Sequence, residues 1–267
     1  MIRRLLPVAL VATLAAPVLA QARGDFRWEK ALPAGNEVSI HNVNGDIKVV
    51  PSTTGKVEVV GIKRGNDRYF DRIKADVQQT SRGVIICVLY DNADSYCDDR
   101  GAHTNNRGRN DDRDRWENVS MNLEIAVPTN LQVSAGSVSG DIQISGAQGD
   151  VAANSVSGDI RLDRIRANSI SAHSVSGDIE VRADELSGRG DLSFHTVSGD
   201  VTLELPRQLD ADVTMTTVSG SMDSDYPLTI NGNRRMSRRN MDARIGAGGR
   251  RLDLATVSGD VKIRMLR

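Results

Sequence analysis

The residues best suited to chemistry recur. Asp46, Asp141, Asp159, Asp178, Asp200 and Asp260 each follow a glycine in the same short phrase, and Ser221 holds the seventh such place. A column of carboxylates could hold Ca²⁺, which takes several oxygen ligands. Asp141, Asp159, Asp178 and Asp200 are the candidates. The competing reading is structural: Asp after Gly accepts nearby backbone N–H groups and fixes a turn. The tight glycine-rich nonapeptide of calcium-binding coils is absent, so we prefer the turn reading and expect no cofactor. His41, His173 and His195 share another column, two residues before a valine. Two histidines without a third ligand make a poor zinc site, which favours corner packing.

Catalysis needs a cluster that does not repeat, such as two close carboxylates or a base supported by a metal or arginine. Here the acids belong to the repeat. The loop acids Asp98, Asp99, Asp111, Asp112 and Asp114 are interleaved with Arg100, Arg107, Arg109, Arg113 and Arg115, as in a solvated polyampholyte. No Ser-His-Asp spacing, phosphate loop or Cys/His metal set is present, and we read no enzyme. Cys87 lies in the apolar run Val84–Tyr90 and Cys97 in the polar stretch after it. In an exported chain the two could be joined, stabilising by about 2–3 kcal/mol. The alternative is one buried and one exposed thiol.

These residues are positioned by a repeat. Val43-Asn44-Gly45-Asp46-Ile47 is followed by copies centred on Gly140, Gly158, Gly177, Gly199, Gly220 and Gly259. From Gly140 the glycines step by 18, 19, 22, 21 and 39 residues. Aligned on the valine, apolar columns stand five and three residues before it and four and six after it; only Ser224 breaks them. Alternation is the strand signal. The spacing changes at the valine, so the chain turns there, and this parity points both the valine and the corner glycine inward. Each coil then has about three short strand pieces. One coil cannot bury its inner face alone, but stacked coils can, each pairing in parallel with its neighbours. A propeller blade needs about twice this period. We therefore expect an all-β, single-stranded parallel β-helix or β-solenoid, with about 19–22 residues per coil and an irregular β region at the N-terminal side.

The remaining segments are assigned around this array. Residues 1–22 look like a signal peptide: Arg3 and Arg4, an apolar run from Leu5, and small residues at Ala20 and Ala22. No cysteine follows to carry a lipid. Residues 23–132 hold the first coil and an irregular capping region, including a charged loop at 91–117 expected to be mobile. Strand-like runs occur at Val57–Ile62, Ile73–Gln78, Val84–Tyr90 and Met121–Val127. Residues 133–267 form the array, interrupted by an Arg-rich insertion at 231–249. The last seven residues look like a closing strand whose Lys262 and Arg264 discourage edge pairing. A net charge of −1 gives no global pull towards nucleic acid or membrane, and only 3% aromatic residues disfavours an outer-membrane barrel. No later stretch is long and apolar enough to span a bilayer as a helix.

The string [S/T]-V-S-G-D-[I/V], once per coil, resembles the bacterial putative-adhesin domain family, long labelled a domain of unknown function. The ending Asp225-Tyr226-Pro227-Leu228, a variable insertion, Gly248-Gly249 and Leu252–Asp260 is similar too, as is Val127-Pro128 leading into Leu131-Gln132-Val133. The resemblance covers about residues 36–267 and implies a β-solenoid in or outside the cell envelope. The function expected is a non-catalytic, adhesin-like binding or structural module, periplasmic or at the cell surface, whose partner is a glycan or an envelope protein. Two other readings stay open: a periplasmic envelope-stress or scaffold component, and a polysaccharide-cleaving β-helix enzyme.

Overall fold

The computed structural model describes residues 25–90, 95–98, 101–103, 119–230, 237 and 239–266. The segment read as a signal peptide, most of loop 91–117, and Arg234, Arg235 and Arg238 of the insertion lie outside these residues. Strands are the dominant element of the described chain, joined by turns and one short 3-10 helix at Asp67–Arg72. Its first part supplies β1 (Phe26–Lys30), β2 (Glu37–Asn44), β3 (Ile47–Pro51), β4 (Val57–Gly65), β5 (Ile73–Thr80), β6 (Gly83–Tyr90), β7 (Tyr96–Asp98), β8 (Gly101–His103) and β9 (Val119–Val127). The repeats supply β10 (Gln132–Ser139), β11 (Ile142–Ser145), β12 (Val151–Ser157), β13 (Ile160–Ala167), β14 (Ile170–Ser176), β15 (Ile179–Leu186), β16 (Leu192–His195) and β17 (Val201–Leu205). The last are β18 (Ala211–Ser219), β19 (Met222–Ser224), β20 (Asn240–Ile245), β21 (Arg250–Ser258) and β22 (Val261–Met265).

All but β7 and β8, which pair as a separate hairpin, stack into two ten-stranded sheets facing one another across a thin aliphatic core. Each coil contributes one strand to each sheet, not three equal pieces. A third piece survives only as the ends of β13 and β15, where Ile165–Ala167 pair with Ala183–Leu186 past a register shift. Equivalent residues lie in exact parallel register, such as Val151 on Ile170 and Ile160 on Ile179. The four apolar columns of the alignment are the core. Ile142, Ile160, Ile179 and Val201 are fully buried, as are Ala153, Ala172 and Phe194. Burial of such columns is the dominant favourable term for a fold poor in aromatic residues.

Two elements are not where simple succession would put them. The first coil, β2 with β3, pairs directly with β10 and β11, although 80 residues separate them in sequence. The intervening segment stacks on the other side of that coil, through β6 on β2 and β9 on β3. Its antiparallel strands β4 and β5, with β1 from before the first coil paired on β4, close that end. Residues before and after position 132 thus share one core.

At the opposite end the coil order is interleaved. β21 and β22 insert between the coil of β16–β17 and the coil of β18–β19. The last strand is therefore an interior strand, not the closing edge expected from its charges. Those charges have another use. In stack order the outer column reads Arg182, Glu204, Arg264, Asp225, with alternating sign. In chain order two acids would be adjacent. The terminal edge of the other sheet is β20, antiparallel to β18 and drawn from the Arg-rich insertion.

Candidate functional site

The corner where each coil passes from one sheet to the other carries the valine, Ser/Thr and Asp columns of the repeat. Three columns run along it, and each has a separate task. The valines come first. Val138, Val156, Val175, Val197, Val257 and Val218 stack in register, but they point outward and are 48–51% exposed. The inward parity expected for them belongs to the residue before. Asn42, Ser137, Ser155, Ser174, Thr196, Thr256 and Thr217 are buried. The threonine hydroxyls serve the neighbouring coil. Thr196 Oγ1 donates to Gly177 O, Thr256 to Gly199 O and Thr217 to Gly259 O, each at 3.0 Å. Asn42 Nδ2 reaches both Gly45 O and Met121 O at 2.8 Å. The hydroxyls of Ser137 and Ser155 find no protein partner. The Ser or Thr that opens each phrase was the sequence signal for this column, but an apolar valine beside it was the easier residue to place inside.

The corner glycines are tight for a different reason from the one expected. Gly177 has φ +148°, and a Cβ there would lie 2.6 Å from the Gly158 carbonyl carbon and 3.1 Å from Asp159 Oδ1. The obstacle is the backbone of the adjacent coil, along the stack, not the core. Gly45, Gly140, Gly158, Gly199, Gly220 and Gly259 meet the carbonyl of their own neighbour in the same way.

The aspartates form the third column, bonded from coil to coil. Asp159 N donates to Asp141 Oδ1 at 2.9 Å, Asp178 N to Asp159 Oδ1 at 2.9 Å and Asp200 N to Asp178 Oδ1 at 2.8 Å. The ladder continues through Asp141 N to Asp46 Oδ1 at one end and Asp260 N to Asp200 Oδ1 at the other. The N–H groups that these carboxylates accept are one coil away, not within the same turn. The end residues now make sense. Ser221 N donates to Asp260 Oδ1, and Ser221 lies in the last coil of its sheet, with no further rung to accept. Asn122 Oδ1 accepts from Asp46 N at the other end. Asp260 bonds to Ser221 and lies 3.0 Å from Lys262, which together hold its carboxyl at about 2, below the ordinary carboxylate value. Among the described residues, no three His, Cys, Asp or Glu side chains converge to hold a metal ion.

The histidines sit outward on the sheet that carries the valines. His173 and His195 are adjacent, with ring centroids 5.0 Å apart in an edge-on arrangement, and His195 Nε2 is 3.6 Å from Asp253. Burial and the neighbouring His195 pull His173 below the usual histidine value, against the opposing pull of Asp253. His41 lies apart, under the β7–β8 hairpin, and burial lowers it too.

That hairpin exists because β6 is apolar on both faces. Val84, Ile86 and Val88 join the main core, while Ile85, Cys87 and Leu89 point outward and need a cover. Cys97 and Ala102 supply it, with the sulfurs of Cys87 and Cys97 bonded and their Cα atoms 6.0 Å apart. Beside the hairpin lies a shallow groove of about 280 Å³, lined by His41, Gly101, Gly136, Val138, Asn154 and Val156. Sequence reasoning gave no hint of one further residue. Arg250, 4% exposed, enters a turn region and donates to Asn168 O and Gly190 O at 2.6 Å and to Ser187 O and Gly188 O at 2.7 Å. It fixes the start of β21, the interleaved strand.

No helix among the described residues is long and apolar enough to cross a membrane. Residues 118–264 match the family described as Toastrack DUF4097. None of the curated proteins matches the chain. Among solved structures, the chain is similar to a putative cell adhesion protein from Clostridium sporogenes, with 7% identity, 90% of this chain and 99% of that chain covered, and a TM-score of 0.51. It is also similar to a putative adhesin from Bacteroides fragilis, with 15% identity, coverages of 89% and 96%, and a TM-score of 0.43. At such identities the first likeness is one of fold.

Proposed function

We propose, from the premise that this chain belongs to the Toastrack DUF4097 family, that it is an exported, non-catalytic, adhesin-like binding module of the cell envelope. The observation that carries this reading is the division of labour at the corner. The repeated carboxylates accept backbone N–H groups of the next coil, so they are spent on the stack and do not form an acid–base pair. What remains free is a set of regular outer faces. One carries charges of alternating sign; the other is nearly uncharged from β10 to β16, with Ser, Ala, Asn and His in columns beside the valines. Regular columns suit many weak contacts of one kind, in which avidity replaces single-site affinity. The named adhesion proteins of similar fold are in keeping with this role.

Export rests on residues 1–22, and the cysteine pair agrees with an oxidising compartment. We keep the division into residues 23–132 and 133–267 as a description of sequence pattern. Fractionation of cells followed by detection of the mature chain tests the location. A chain found in the cytosol with its N-terminal segment intact would end the reading. Glycan-array binding by the purified mature chain, lost when the outer faces are recharged, tests the activity. Product release from a pectin-like or alginate-like polymer would overturn the non-catalytic assignment.

A further inference from the structure

Six half-exposed valines in one straight line are an anomaly for a fold that could place Ser or Thr there. An apolar patch this continuous marks a contact surface. We propose that the valine ladder is a self-association surface, on which a second copy of this chain docks ladder to ladder about a two-fold axis running along the stack. This goes beyond the binding role above and does not depend on it.

The ladder's own geometry argues for this occupant. Its pitch is that of paired β-strands, about 4.8 Å per coil, and every valine lies in register with its neighbours. A partner that meets each valine must share that pitch, and a second copy does so automatically. The near-identical exposure from Val138 to Val218 means that no position protrudes or recedes. The ladder also has a defined end. The disulfide-held hairpin lies beside Val43 and borders the groove at Val138 and Val156, so the free stretch begins at Val138.

The flanks decide the axis. On the side towards the corner runs the Asp column. On the other side run Gly136, Asn154, His173, His195, Ala255 and Thr216, which carry no negative charge. An axis across the ladder would lay one Asp column on the other. An axis along the ladder lays each Asp column over the neutral and histidine column of the partner and sets every valine against its own copy. An isologous contact of this kind closes as a dimer. It is narrow, below the area of a standard stable interface, so the affinity belongs in the micromolar range. Pairing leaves the charged sheets of both copies facing outward on opposite sides.

The test is sedimentation velocity of the mature chain from low micromolar to sub-millimolar concentration. We expect a monomer–dimer equilibrium. Val156→Asp/Val175→Asp/Val197→Asp should be monomeric throughout, with circular dichroism unchanged because these side chains are outside the core; Val156→Ser/Val175→Ser/Val197→Ser serves if the charged variant does not fold. Val138→Cys should cross-link to itself under mild oxidation. A wild-type monomer at the highest concentration, or a dimer that survives both triple variants, overturns the proposal. Cross-linking only in a mixture of Val138→Cys with Val218→Cys, and not in Val138→Cys alone, overturns the axis.

Discussion

Gly177→Ala isolates the stacking clash from ordinary glycine strain. At φ +148°, an alanine is in a region that L-residues rarely occupy, costing about 1–3 kcal/mol. Its methyl carbon would also sit 2.6 Å from the Gly158 carbonyl carbon and 3.1 Å from Asp159 Oδ1. The Gly158 carbonyl is backbone and cannot swing aside, so the coils must separate locally, adding about 1–3 kcal/mol as in other overpacked sites. The total is about 2–6 kcal/mol. Gly35→Ala is the control: φ is +81° there, and a Cβ would meet nothing within 4 Å. It should cost about 1–2 kcal/mol from backbone strain alone. Urea unfolding of both variants, followed by circular dichroism, measures the difference. Equal losses, or a smaller loss at Gly177, would refute the claim that the corner glycine is dictated by the carbonyl of the adjacent coil.

Cys97→Ser opens a loop with a sequence separation of 10 and should destabilise the hairpin region by about 2.7 kcal/mol, seen as faster proteolysis there. Arg250→Met leaves four backbone carbonyls without their donor and should lose about 3 kcal/mol or more in chemical denaturation. Thr256→Val keeps the shape but removes the bond to Gly199 O, a loss of about 1–2 kcal/mol by thermal unfolding. Asp260 has a folded pKa of about 2 against an ordinary 3.8, so the unfolded chain binds its proton first. Its stabilisation is complete above about pH 4 and fades as pH falls towards 2. Asp260→Asn should flatten that part of the acid-unfolding curve.

The repeat made the solenoid legible before any coordinates, because the columns around each Gly-Asp pair have only one economical way to be buried. Parity across the corner was not legible. Counting alternation through a bend assumes that the chain keeps its pleat. In the fold the pleat resets after the valine, so Ser155 and Ser174 face in while Val156 and Val175 face out. The hydroxyls of Thr196, Thr256 and Thr217 are satisfied inside because a coil one turn away offers a carbonyl, and period-based reading has no access to partners that far off in sequence. The same limit hid Arg250, whose acceptors lie 60 to 82 residues upstream. The exception Ser221 was visible as a departure from pattern, but it became informative only once the ladder had two ends, the other of which is closed by Asn122, a residue the repeat did not single out.

The interleaved coil gives the stack a keystone. The segment Ala211–Ser224 precedes in sequence the chain that belongs beneath it, and β18 and β19 are joined to the rest of the sheets through β21 and β22. Winding therefore cannot proceed in simple succession from one end to the other. Assembly has to wait for residues 250–265, and their arrival locks the earlier coil, with β20 on its outer edge, in one step. A solenoid built this way shuts like a clasp, and its ends do not fray coil by coil as those of an open-ended array would.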